Sequence, residues 1–231
     1  MKKETLSVWG LLIRASLPAT AVLAGCMALA DIALFGLWLR EGGPLDGVLQ
    51  SASLWLPFAG AVIALTVHLA LRGELCAPNR YTLRRLRVED KTLLRLEALQ
   101  NALCYLLLWA AQAGMMLLLC VWYTRRYPEM THSLTLFLAF YRVSALHGLL
   151  PLADWLLWVR NVVACAALGL LTAKASFTHR TVGPIVMGVL CALLFPASMG
   201  MAVYVALEIL VLVIAGLVGY AGISEVPDEE A

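Results

Sequence analysis

The sequence predicts an all-α, polytopic integral membrane protein. Three observations carry that prediction. The 231 residues are 62% hydrophobic and 14% charged, with a mean hydropathy of +0.85, whereas a soluble domain is nearer half apolar and a quarter charged. Six apolar stretches reach or approach the ~20 residues that cross a ~30 Å hydrocarbon core. Charge is segregated between those stretches: Arg72–Arg95 alone holds seven of the 17 Lys/Arg residues.

Residues 1–17 begin with Lys2 and Lys3 and place Val8, Leu11, Leu12 and Ala15 on one helical face, with Arg14 off it. That pattern predicts an N-terminal interfacial helix on the cytoplasmic surface. Pro18 then opens span 1, Pro18–Leu39, since a first-turn proline sacrifices no helical hydrogen bond. Leu23-Ala24-Gly25-Cys26 matches a lipoprotein processing box. Arg14 interrupts the apolar core such a signal needs, and apolar residues follow Cys26, so an uncleaved span is expected. Arg40–Gln50 is a Gly/Pro turn. Span 2 is 51–71, span 3 is 101–123, and 124–133 is a polar loop. Leu134–Leu150 holds Arg142 and His147 and fits an outer surface-lying or re-entrant helix. Spans 4, 5 and 6 follow at 154–172, 182–197 and 201–220. Residues 1–222 thus form a single transmembrane domain, and 223–231 an acidic cytoplasmic tail.

The topology follows from the basic residues. With both termini and Arg72–Arg95 in the cytoplasm, Lys/Arg number three at the N-terminus, seven after span 2 and two after span 4. The outer loops hold four, and Arg160 lies within span 4. This obeys the positive-inside rule and predicts a multi-pass protein of the cell (plasma) membrane.

Three charges fall inside spans: Asp31, Arg160 and Glu208. Each costs roughly 2.5–3.5 kcal/mol at a helix centre on insertion scales, so a partner is expected. Counting from the span ends puts all three ~9–12 Å below the outer surface, at 1.5 Å per residue. The expectation is an intramembrane polar cluster in which Arg160 pairs with Glu208, with Asp31, or with both. It would serve as a staple fixing helix packing or as the polar lining of a transport path. Gln112 and Asn101 are single amides suited to bonding a neighbouring helix. His68 and His147 have no second ligand at metal spacing, so no metal site is expected. The six cysteines show no C-x-x-C pair and read as small hydrophobes. Gly216, Gly219 and Gly222 suggest a close-approach face on span 6.

Several chemistries lack their residues. There is no G-x-x-x-x-G-K-[ST], H-E-x-x-H or G-x-S-x-G. No catalytic residue, metal or cofactor is assigned, and the chain is not expected to be an enzyme. The basic residues are accounted for by topology, so nucleic acid is not expected as a partner.

Tyr81–Gln100 is helix-prone and free of Gly and Pro. Leu83, Leu86, Leu93, Leu94 and Leu96 give it an apolar side, and Arg84, Arg85, Arg87, Lys91 and Arg95 a cationic one, with a break near Val88-Glu89-Asp90. One reading is a helix-turn on anionic lipid; the other is a docking element. The stretch Tyr81-Thr82-Leu83-Arg84-Arg85-Leu86-Arg87-Val88-Glu89, between spans 2 and 3 of a six-span chain with an N-terminal surface helix, resembles the coupling loop of ABC-2 type transporter permeases. The resemblance implies a membrane subunit whose coupling residues Tyr81, Leu83, Arg84, Arg85, Leu86, Arg87, Glu89 and Lys91 fit a separate ABC ATPase, which alone binds ATP. It also implies a homo- or heterodimer and an amphipathic or hydrophobic substrate. The chain departs from the family pattern between spans 5 and 6, where only Ser198-Met199-Gly200 intervene instead of re-entrant helices. The competing expectation is a non-transporting scaffold, sensor or accessory subunit that uses the same loop.

Overall fold

The computed structural model describes residues 2–40, 45–75, 89–130, 134–152, 154–178, 180–194 and 202–224. These residues are almost entirely helical. The helices are α1 (Lys2–Arg40), α2 (Leu45–Gln50), α3 (Leu56–Leu75), α4 (Asp90–Arg126), α5 (Thr135–Arg142), α6 (Ser144–Leu149), α7 (Trp155–Thr178), α8 (Val182–Leu194) and α9 (Ala202–Ser224). Four apolar stretches are long enough to cross a membrane: Leu6–Arg40, Lys91–Arg126, Trp155–Thr178 and Tyr204–Ala221. Two shorter apolar stretches, Leu56–Arg72 and Val182–Leu193, lie between them. An all-α protein with the helices of a multi-pass membrane protein is therefore the observed architecture.

Polar bonds and ring contacts between helices fix the directions of the long helices. Trp9 Nε1 donates to Gln100 Oε1 (2.9 Å) and Gln100 Nε2 to Ser16 Oγ (3.1 Å) near the starts of α1 and α4. Phe35 meets Trp122 edge-on near their ends, so these two helices run parallel. α7 is antiparallel to α4: Ser176 Oγ donates to Glu97 Oε1 (2.8 Å), Asn101 Nδ2 to Thr172 Oγ1 (3.1 Å), and Trp109 meets Trp158 at 5.3 Å. α9 runs parallel to α7, tied by Arg160–Glu208 and by Lys174 Nζ donating to the Val218 carbonyl (3.0 Å). α3 joins α1 through Arg72 Nη2 and the Leu12 carbonyl (3.2 Å), and α4 through Tyr105 OH donating to Thr66 Oγ1 (2.9 Å). Such bonds matter in lipid, where apolar contact alone does not favour helix over lipid.

α7 is the hub. It packs against α4, α9, α3 and α8. Its crossing with α4 is closest at Gly169, where a Cβ would stand 2.7 Å from both the Ala98 carbonyl oxygen and the Ala102 backbone nitrogen. No side chain fits there, because the obstacle is backbone. α8 approaches α3 at Gly188, where a Cβ would stand 2.7 Å from the Thr66 side-chain Oγ1. Gly216 and Gly219 of α9 face Leu170 of α7 within the same chain.

The N-terminal stretch differs from expectation. Residues 2–17 are not a separate surface helix, because α1 continues unbroken through Pro18. Ser16 Oγ donates to the Leu12 carbonyl and Thr20 Oγ1 to the Ser16 carbonyl, and Arg72 adds a donor to Leu12. Pro18 itself removes one backbone donor, the N–H that would meet the Arg14 carbonyl four residues back, and the helix continues despite that loss. Val8 and Leu12 bury themselves against Leu93, Leu96 and Phe177. Their apolar face has a protein partner instead of lipid. α1 and α4, at 39 and 37 residues, span ~55–58 Å at 1.5 Å per residue and exceed a bilayer core at this end.

The outer segment also differs in detail. Leu134–Leu150 is two short helices with Val143 extended between them. Phe140, Val143, Leu146 and Leu149 join Leu45, Val48 and Leu49 of α2 in the core. Span 4 was expected to end at 172, but its helix continues to Thr178 because Ser176 and Thr172 are engaged by α4.

Gly169→Ala is expected to destabilise the fold by about 1–3 kcal/mol or more, the usual cost of overpacking. Gly183→Ala, where nothing lies within 4 Å, should be near neutral. Thermal unfolding of the two purified variants in one detergent checks the contrast.

Candidate functional site

The polar centre of the structure is Arg160 on α7, 2% exposed. A guanidinium stays charged at any physiological pH, so burial obliges the fold to supply acceptors. Three groups do so. Asn161 Oδ1 accepts from Arg160 Nε (3.2 Å) and Nη2 (3.0 Å). The Gly148 carbonyl accepts from Arg160 Nη2 (3.2 Å) and from Asn161 Nδ2 (2.9 Å). Glu208 Oε2 of α9 accepts from Arg160 Nη1 at 3.4 Å. Side-chain exposures of 2% and 15% make this a buried ion pair with the carboxylate on the more open side.

Gly148 lies in the last turn of α6, where unpaired carbonyls give a helix its negative end. Two more carbonyls beyond it are held the same way. Trp109 Nε1 donates to Leu149 (3.1 Å), and Trp158 Nε1 donates to Pro151. His147 Nε2 sits 2.8 Å from Asp154 Oδ2. The α5–α6 segment is therefore clamped onto the α4–α7 pair by Arg160, Asn161 and two tryptophans.

Asp31 is not part of this contact. It is fully buried on α1, which packs on α4 and α3. Gln112 of α4 lies beside it. Neither Asp31 oxygen and neither polar atom of Gln112 has a hydrogen-bond partner among the described residues. The structure thus brings Arg160 and Glu208 together and places Asp31 with Gln112.

Of the coupling residues, Tyr81, Leu83, Arg84, Arg85, Leu86 and Arg87 lie outside the described residues. Glu89 is exposed and caps α4, its carbonyl accepting from Thr92 N (2.9 Å) and Leu93 N (3.0 Å). Lys91 follows in the first turn. Leu93 and Leu94 are buried and Arg95 is exposed, so the two-sided pattern persists into α4. Among the described residues no group of three His, Cys, Asp or Glu could hold a metal ion.

Sequence reasoning missed Asn161, Gly148, Ser16, Glu97 and Ser176. A carbonyl carries no sequence signal. Ser176 and Glu97 fell outside the expected spans, and their pairing depends on which helices touch.

Among the described residues, apolar clefts open on the side of the bundle. One, of about 260 Å³, lies between α8 and α9 and includes Glu208 and Tyr204 in its lining. Another, of about 280 Å³, lies along the α7–α9 contact and includes Gly216 and Tyr220.

Removal of Arg160 strips partners from Glu208, Asn161 and Gly148 together, whereas removal of Glu208 leaves Arg160 its bonds to Asn161 and Gly148. Arg160→Gln should therefore lower the melting temperature more than Glu208→Gln. The double variant should be little worse than Arg160→Gln alone, because the two share one network. Differential scanning fluorimetry on the four proteins reads this.

No family model, curated protein or solved structure matches this chain.

Proposed function

We propose that this chain is a membrane permease subunit of an ABC-2-like transporter. In this reading it crosses the cell membrane six times with both termini in the cytoplasm. It couples to a separate ATPase through residues 81–91, and it works as a dimer of membrane subunits. The observation that supports the reading is α4. It starts at Asp90, directly after the coupling stretch, and runs unbroken to Arg126. Midway along, at Trp109, it donates to the clamped α5–α6 segment, which follows it in the chain. A helix rigid over this length carries a displacement at the coupling stretch to the opposite side of the bundle.

The helix directions support six crossings. α1, α4 and α8 run one way and α3, α7 and α9 the other, with Cys191 of α8 beside Cys165 of α7. α8 has 13 residues, ~20 Å at 1.5 Å per residue, so this crossing requires local bilayer thinning or residues beyond its end.

Affinity purification from the native host tests the coupling. An ATPase with a Walker motif should co-purify and be lost on Arg84→Glu plus Arg85→Glu. Recovery of the chain without any ATPase, still binding anionic vesicles through the same arginines, would overturn the permease reading. It would mark a scaffold, sensor or accessory subunit. A reporter that fluoresces only in the cytoplasm, fused after Ala231, should be bright; a dark fusion would overturn the six-crossing topology.

A further inference from the structure

α8 and α9 are consecutive, yet each takes its main support from other helices. α8 rests on α3 and α7, and α9 rests on α7. A cleft remains between them, lined by Met187 and Leu190 of α8 and by Tyr204, Leu207, Glu208 and Val211 of α9. Leu190, Tyr204, Leu207 and Val211 are all exposed, so the cleft opens sideways toward the lipid.

Its chemistry is asymmetric. Glu208 is the charged residue in the lining. Arg160 sits behind it, 2% exposed against 15% for the carboxylate, with Asn161 and Gly148 holding its other N–H groups. Anything entering from the lipid therefore meets the carboxylate before the guanidinium. The Arg160–Glu208 separation of 3.4 Å is longer than the ~2.7–2.9 Å of a tight charge-assisted bond. A carboxylate offers about four lone-pair sites, which leaves acceptor capacity beyond the one Arg160 contact. Tyr204 lies one helical turn before Glu208 and lines the same cleft, so an aromatic face and a carboxylate stand together. That combination recognises organic cations, by charge and by cation–π attraction. An anionic head would face the carboxylate first and be repelled.

We propose that this cleft binds the head of a lipophilic ammonium compound entering from the membrane. The ammonium sits at Glu208 against Tyr204, and the hydrocarbon tail lies along Leu190, Leu207 and Val211. At about 260 Å³ the cleft is smaller than the ~300–1,000 Å³ that encloses a drug-sized ligand. It fits a head group and the first methylenes, with the rest of the tail in lipid.

The inference rests on the helices being in a membrane but not on ATPase coupling, so it is tested without ATPase or nucleotide. The full chain is reconstituted in phosphatidylcholine nanodiscs and photolabelled with a diazirine-bearing alkylamine. Labelled peptides are mapped by mass spectrometry. Labels should fall within 187–190 and 204–212 and be competed by dodecylamine, but not by dodecanol or dodecanoate. Glu208→Gln should weaken competition about tenfold or more, and Tyr204→Leu about threefold to tenfold, as expected for a lost charge and a lost cation–π contact. Leu190→Trp fills the cleft while sparing the Arg160–Glu208 pair and should abolish labelling, which keeps the test decisive if Glu208→Gln fails to fold. Equal competition by dodecanol or dodecanoate would overturn the cation assignment. Labelling that survives Leu190→Trp, or chain-to-chain crosslinks in its place, would overturn the site.

Discussion

The arrangement turns on burying one guanidinium. Arg160 cannot shed its proton, so the helices around it must bring oxygen. The nearest oxygen is next in sequence, at Asn161. The second belongs to the end of α6, which is drawn onto α7 as a result. The third is Glu208, which fixes how α9 stands against α7. One cation thereby positions elements on two sides of its helix. The same residue leaves a carboxylate at the wall of an apolar cleft.

The rest of the bundle is organised by closeness. Gly169 lets α7 approach α4 to backbone contact, and Gly188 lets α8 approach α3. Without these glycines the crossings would open, and the polar bonds between Asn101 and Thr172 and between Glu97 and Ser176 would lengthen beyond use. Packing and hydrogen bonding are therefore one constraint at this interface, as expected where lipid competes with every apolar contact.

Much of this was legible in the residues. Hydropathy located the apolar helices, because helical length and bilayer thickness are both fixed quantities. The break before Asp90 followed from Val88-Glu89-Asp90. Counting residues from the span ends suggested that Arg160 could meet Glu208, and the two are in contact. Azimuth was not readable, since it depends on which helices touch, and α1 packs on α4 and α3 while α7 takes α9. Pro18 misled because it removes one backbone donor without ending the helix, whose turns before it are held by Val8 and Leu12 packing on Leu93. The end of α7 was missed because Thr172 and Ser176 look polar until their partners on α4 are known.

The order of the Arg160 contacts along the chain bears on how the protein is made. Gly148 precedes Arg160 and Asn161 adjoins it, whereas Glu208 lies 48 residues later. At roughly 5–20 residues per second, the guanidinium is made seconds before its counter-charge exists. During that interval the Gly148 carbonyl and the Asn161 amide are already synthesised. The neutral acceptors are thus the ones that carry Arg160 through insertion, and the ion pair closes last, when α9 arrives.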